Sequence, residues 1–414
     1  MDFGKVRYFT HSSKTNCVFV DNQDSPLISI NIWCKAGVSF EDNRKEGIAH
    51  FLEHMIFKGS NELMPGEFDY KIESLGGSSN ASTGYDDAHY YVLIPPTNFI
   101  ESLSLLTNLI LFPEIDIKEF ELEKGVIIEE INQQNDQPDE KLLNYFLKRV
   151  WESHSYGKSI LGTKKKITSL NKNDIETFHS KQYSFKNTCI AIAGKLPKGI
   201  EKIIDNLEIK YKSQNNHIEK NNFQSKYRIR TGREEINLSN IEMSRILIAW
   251  QIPPAKEQRI ILGFEVLATI LSEGRNSKLV RPIKEELNLV ESVYADINSG
   301  EYGGIFIIEA CSIQENIKLV EDKINLVINE ITSTNNIGKN DLIKALNIVR
   351  SNFIFNLETP SQLAAYFGNN LLWGRKNPID KFEQNLDYWN DIENFKEIIS
   401  YLSKDRFTLI ANKI

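Results

Sequence analysis

The sequence predicts an α+β protein of two homologous domains, each a mainly antiparallel β-sheet packed with α-helices. Three observations carry that reading. The chain has 414 residues, more than a single core of ordinary size serves. In both halves, period-2 alternation gives way to long helical periodicity and then returns to strand. The halves also repeat an order of elements: KIESLGG leads into a strand ending HYYVLIP, and KEELNLV leads into a strand pair ending GIFIIEA. Leu75 and Leu289 are 214 residues apart, and Tyr91 and Phe306 are 215 apart, so the offset is nearly constant.

In order along the chain, residues 15–35 alternate and carry β-branched side chains, which predicts two strands. A helical pattern follows at 46–58 and another at about 66–76, stopped by Gly76-Gly77. Residues 78–94 read as a strand pair closed by Pro95-Pro96. Long helices are expected at 98–111, 116–134 and 138–152, and a strand at 188–194. The stretch 205–232 is poor in large apolar residues and rich in Asn, Lys and Gln. It sets the expected division: a first domain over 1–210, a linker over 211–232 and a second domain over 233–414. That second domain should hold a strand at 244–252, helices at 257–272 and 276–287, a strand pair at 290–311, and helices at 314–332 and 339–357.

Composition excludes several classes. With 41% hydrophobic and 25% charged residues, the chain is neither disordered nor fibrous. A net charge of −7 without a concentrated basic stretch argues against nucleic-acid binding, and the triplet Lys164-Lys165-Lys166 reads as a solvated turn. No apolar run reaches the roughly 18 residues that span a bilayer. The N-terminal run MDFGKVRYFTHSS lacks an apolar h-region, so no secretory signal is expected. Cys17, Cys34, Cys189 and Cys311 form no C-x-x-C pair and read as reduced, mostly buried thiols, which suits a cytoplasmic location.

The sharpest local signal is GIAHFLEHMIF, residues 47–57. His50 and His54 are four apart, so on a helix they stack on one face within reach of a common ion, with Glu53 beside that face. The helix is apolar nearly all round and should be buried, and two imidazoles and a carboxylate are costly there without a partner such as a metal ion. A catalytic zinc takes three protein ligands. No histidine follows residue 217, so a helical carboxylate is the better third donor. In ELEKGVIIEEI, Glu123 and Glu130 are seven apart on one face, together with Val126 and Ile127, and that face should turn inward. The pattern favours Glu130 and leaves Glu129 open.

On these residues the chain resembles the pitrilysin/insulinase-type zinc peptidases, whose signature is the H-x-x-E-H (inverzincin) helix. Within them it is similar to the shorter bacterial branch that is like the mitochondrial processing peptidase beta subunit. The likeness runs through KEGIAHFLEHMIFKGS, LGGSSNASTGYDDAHYYV, ELEKGVIIEEI with DQPDE, SYGKSILGT, YSFKNTCIAIAG and FNLETPSQLAAYFG. It implies a LuxS/processing-peptidase-like fold and a zinc-dependent endopeptidase acting on peptides or unfolded polypeptides, with one Zn2+ per chain. It implies His50, His54 and Glu130 as metal ligands, Glu53 as catalytic general base, and Glu123 as a supporting acid. Asn80 and Ala81 would lie in the edge strand where an extended peptide pairs.

The chain also departs from that family. Many members carry an Arg and a Tyr in an R-E-K-x-G-L-x-Y stretch of the second domain. Here Lys284 stands at the Arg position and Glu291 at the Tyr position. Lys lacks the guanidinium fork, and Glu lacks the phenol donor. The resemblance then implies a dimer enclosing a chamber, preferably a heterodimer in which a homologous non-catalytic subunit supplies the Arg/Tyr pair, and otherwise a homodimer. Glu140 sits where processing peptidases hold a substrate Arg, although DQPDEKLL also reads as an acidic helix N-terminus. The alternative to an enzyme is a scaffold or peptide-binding subunit of the same fold.

Overall fold

The computed structural model of the protein describes residues 3–209, 211, 227–334 and 337–414. They form two compact units, each with its own sheet and hydrophobic core. The first sheet holds β1 (Lys5–Thr10), β2 (Asn16–Asp21), β3 (Ile28–Cys34), β4 (Ser78–Thr83), β5 (Ala88–Ile94) and β6 (Thr188–Gly194), in the order β1-β2-β6-β3-β5-β4. The second holds β7 (Gly232–Leu238), β8 (Ser244–Ile252), β9 (Ser292–Ser299), β10 (Gly304–Ser312) and β11 (Arg406–Lys413), in the order β7-β11-β8-β10-β9.

Strand by strand, the second order repeats β2-β6-β3-β5-β4 of the first. The directions repeat too: β2 pairs β6 in parallel and β7 pairs β11 in parallel, while the other ladders are antiparallel. The two units are copies of one topology, and β1 is an addition to the first.

The helices of the first half are α1 (Ile48–Ile56), α2 (Glu67–Ser74), α3 (Phe99–Leu111), α4 (Ile117–Asp136), α5 (Pro138–Trp151), α6 (Lys164–Ser169), α7 (Lys172–Gln182) and α8 (Ile200–Asp205). Those of the second are α9 (Gln258–Ser272), α10 (Ile317–Thr334), α11 (Lys339–Phe355), α12 (Pro360–Leu372), α13 (Pro378–Tyr388) and α14 (Ile392–Tyr401). In the first sheet one row of side chains, Ile28, Ile30, Ile32 and Cys34 of β3, enters a core shared with Phe51, Leu52 and Met55 of α1. The alternate row carries Ser29, Asn31 and Trp33, and α12 covers that side, packing on β2, β3 and β6.

The units are therefore not contiguous in sequence. The first comprises Met1–Gln134, Lys158–Glu219 and Phe355–Pro378, and the second Asn135–Gly157, Lys220–Ile354 and Ile379–Ile414. Against the expected division at 210 and 233, each unit takes in one helix from the other repeat. Both exchanged helices begin with proline at the first helical turn, Pro138 in α5 and Pro360 in α12. Helix α5 is tied into the second unit by polar contacts: Tyr145 and Arg149 both donate to Glu234 of β7, at 2.5 and 2.7 Å, and Asp139 pairs with Arg245 of β8 at 2.8 Å. An amphipathic pattern says that a helix buries one face, and does not say on which sheet.

Other expectations shift in detail. β1, β7 and β11 were not anticipated, and Gly232, assigned to the linker, opens β7; residues 210 and 212–226 of the polar stretch lie outside the described residues. The helix expected at 276–287 is a π-helical turn, Arg281–Glu286, where Pro282 withdraws one amide from the ladder. The Lys164 triplet opens α6 rather than a turn, capped by the Thr163 hydroxyl accepting from the Lys166 amide. All four cysteines are buried and unpaired. Among the described residues no helix is long and apolar enough to cross a membrane.

The α12 contact leaves no slack. A Cβ at Gly368 would lie 2.5 Å from ring atoms of Trp33 and 2.9 Å from Ala191 Cβ. Gly368→Ala should destabilise the first unit by about 1–3 kcal/mol through overpacking, read as a lower urea midpoint, and an unchanged midpoint would contradict this packing.

Candidate metal centre

Helix α1 carries the first two donors. Ile48, Ala49, Phe51, Leu52, Met55 and Ile56 are all buried, as the apolar pattern requires, and His50 is buried with them at 9% exposure. The i, i+4 spacing places the two rings edge to face, with centroids 4.6 Å apart. Helix α4 brings the third donor. Phe120 stacks on Phe51 of α1 at 4.9 Å, and Ile127 and Ile131 enter the same core. That contact presents Glu130 to the two rings: its carboxylate oxygens lie 3.9 Å from His50 Nε2 and 3.8 Å from His54 Nε2. Within the face that carries Glu123 and Glu130, Ile127 is buried, but Val126, expected to turn inward, is 50% exposed because it lies at the rim of that face. Glu129 is exposed.

One donor atom each from His50, His54 and Glu130 lies within 4.8 Å of the others, the one such group among the described residues. The separations are too long for hydrogen bonds and close to the roughly 3.4 Å between ligands of a tetrahedral zinc. Two imidazole nitrogens and one carboxylate oxygen are also the donor set that zinc favours at catalytic sites. The residues fit the ion.

The surroundings prepare these donors. His54 Nδ1 donates to Glu123 Oε1 at 2.8 Å, which leaves Nε2 with its lone pair facing Glu130. Lys58 Nζ pairs with the other Glu123 oxygen at 2.7 Å. Burial raises the Glu123 carboxyl, but the bonds from Lys58 and His54 outweigh it and hold the group below its ordinary range. Burial, with the charge of His54 second, pushes the His50 imidazole down to about 4, so the ring is a neutral donor at neutral pH. His50 Nδ1 is buried with no hydrogen-bond partner among the described residues.

Glu53 is half-buried next to the histidines, and one of its oxygens accepts from the Thr83 hydroxyl at the end of β4. Burial raises its carboxyl, with the Thr83 bond and His54 pulling the other way. β4 is an edge strand of its sheet, carrying Asn80 and Ala81; the Asn80 side-chain oxygen accepts from the Ala81 amide at 2.8 Å.

The remaining candidates belong to the second unit. Glu140 is exposed in the first turn of α5, beside Asp139, as the helix-N-terminus reading has it. Lys284 is exposed on the π-helical turn, and Glu291 accepts from the Cys311 thiol at 3.6 Å. Reading the sequence missed Lys58, Thr83 and Glu41, the last of which bonds the start of α1. Lys58 could have been noticed four residues beyond His54, but the partners of Thr83 follow only from tertiary structure.

Two outcomes test the centre. The purified protein should hold about one zinc per chain by elemental analysis, lost in His54→Ala; a zinc-free wild type, or full occupancy in the variant, would contradict the site. In metal-free protein, His50 binds its proton less readily folded than unfolded. Its share of stability is present above the ordinary pH of about 6.5 and lost as pH falls toward about 4. His50→Gln should flatten that part of the melting-temperature profile, and an unchanged slope would count against burial of the neutral ring.

Comparison with known proteins gives the family. The model for insulinase (peptidase family M16) matches residues 17–164, and that for the peptidase M16 inactive domain matches 169–349. An uncharacterized zinc protease of Rickettsia felis is 26% identical over 96% of this chain and 91% of its own length. The human mitochondrial-processing peptidase subunit beta is 21% identical over 95% of this chain and 81% of its own. The crystal structure of a protease from Helicobacter pylori shares the fold, with a TM-score of 0.89 at 21% identity over 99% of both chains. With a metal-ready H-x-x-E-H helix, a duplicated α+β topology and matches along both halves, the chain belongs to the pitrilysin/insulinase-type peptidase family M16.

Proposed function

We propose that the chain is a zinc endopeptidase that cleaves peptides or unfolded polypeptides held in extended conformation, with His50, His54 and Glu130 as ligands and Glu53 as general base. The observation that carries this is the convergence of a buried imidazole, a half-buried one and a carboxylate beside a raised, Thr83-bonded Glu53. Zinc bound there would lower the pKa of its water toward ~7 and polarise the scissile carbonyl. The chain's own groups do the rest. Glu123 and Lys58 hold the His54 ring in the tautomer that offers Nε2. Glu53 accepts the proton of the attacking water and returns it to the leaving amine, a role that a carboxyl raised by burial performs better near neutral pH. The free edge of β4 offers unpaired backbone groups to a substrate strand, with Asn80 and Ala81 in reach of it.

The second domain bears on partners. Lys284 and Glu291 replace the Arg and Tyr of many family members, so the chain is proposed to work as a dimer, preferably with a homologous non-catalytic subunit that supplies that pair. Glu140 as a holder of a substrate Arg belongs to the same proposal. A cytoplasmic site of action fits the buried, unpaired thiols.

Glu53→Gln should keep its zinc and lose hydrolysis of an unfolded peptide by at least about 100-fold; retained turnover would refute the role, and a metal-free, inactive wild type would favour a scaffold. The wild type assayed alone and with its homologue should gain activity on mixing. Full activity alone would sink the heterodimer and leave the homodimer.

A further inference from the structure

Helix α1 begins without an ordinary cap. Its N-cap residue is Gly47, at φ +89°, and makes no side-chain hydrogen bond. Its first amides would be left bare in a buried setting, which costs free energy for each. They are satisfied from outside the helix. Glu41 reaches back from the preceding segment, and its carboxyl oxygens accept from the Gly47 amide at 3.0 and 3.2 Å and from the Ala49 amide at 2.9 Å. Ala49 directly precedes His50. Glu41 is itself buried, at 4% exposure.

The same end of the helix is pinned by backbone. A Cβ at Gly162 would lie 2.4 Å from the Glu46 carbonyl oxygen, and one at Gly47 would lie 2.6 Å from the Leu161 carbonyl oxygen. That close approach holds the start of the helix, and Glu41 meets the amides of its first turn. Burial pushes the Glu41 carboxyl up to about 8, against the pull of the two amides. Both oxygens of the carboxyl face amides, so the geometry shows the position using reach and acceptor placement.

We propose that Glu41 is a positioning residue for the metal centre: its carboxyl group serves as a remote N-cap that orients the first turn of α1, so that His50 and His54 present their Nε2 atoms to one point. This rests on the reading of His50, His54 and Glu130 as a zinc site. It deepens that reading by assigning part of the preorganisation to a residue that touches neither metal nor substrate. Loss of the cap lets the helix start relax, and metal binding must then order it again.

The test is zinc affinity by chelator competition, together with the melting temperature of the metal-free protein, in Glu41→Gln, Glu41→Asp and Glu41→Ala. Gln keeps the reach and one acceptor oxygen. Asp keeps the acid but is one methylene short. The proposal expects affinity close to wild type in Glu41→Gln, and a loss of about 10-fold or more in both Glu41→Asp and Glu41→Ala. On peptide substrate, kcat should fall in step with KM unchanged when zinc is below saturation. Affinity within twofold of wild type in Glu41→Ala, with only the melting temperature lowered, would overturn the proposal and leave Glu41 a structural acid. A normal Glu41→Asp beside a defective Glu41→Gln would overturn it in favour of charge. If Glu41→Ala does not fold, the Asp and Gln pair decides. Failure of wild type to bind zinc would instead sink the metal reading itself.

Discussion

The site depends on one constraint: a helix that is apolar on nearly every face carries two imidazoles, one buried and one half-buried. Burying them costs free energy unless their nitrogens meet partners. Protein groups satisfy only part of that demand. His54 Nδ1 has Glu123, and Lys58 balances Glu123 in turn, but both Nε2 atoms face Glu130 at distances no hydrogen bond spans. What remains is a gap lined by three donors of the kind zinc prefers. The stacking of Phe51 on Phe120 packs α1 against α4, the two helices that carry the three donors.

Duplication explains how the rest is arranged. Both sheets use one strand order, and each copy is completed by a helix of the other repeat. Only the first copy places histidines on the helix that follows its second shared strand; the corresponding α9 carries none. The first unit therefore holds the proposed metal-binding groups, and the second repeats the strand order without them.

Much of this was legible in the sequence, for definite reasons. His50 and His54 were readable because 3.6-residue periodicity puts i and i+4 on one face, and Glu130 because seven residues from Glu123 make two turns. β3, β5, β8 and β10 were readable as apolar, β-branched runs. β1 and β7 were not: KVRYFT and GREEINL are charged edge strands, each with a single partner, β1 on the adjacent β2 and β7 on β11 far along the chain. The exchange of α5 and α12 was equally hidden, since amphipathicity names a buried face and not its partner. Glu41, Lys58 and Thr83 escaped because a polar side chain in a loop, past a helix end or at a strand end gains its meaning only from what tertiary structure sets against it.

The most direct measurement of the central claim is zinc K-edge X-ray absorption on the purified protein. The account predicts two imidazole scatterers and only nitrogen and oxygen neighbours, at about 2.0–2.2 Å, from His50, His54 and Glu130. Sulfur neighbours at about 2.3 Å, or a first shell without imidazole, would contradict it.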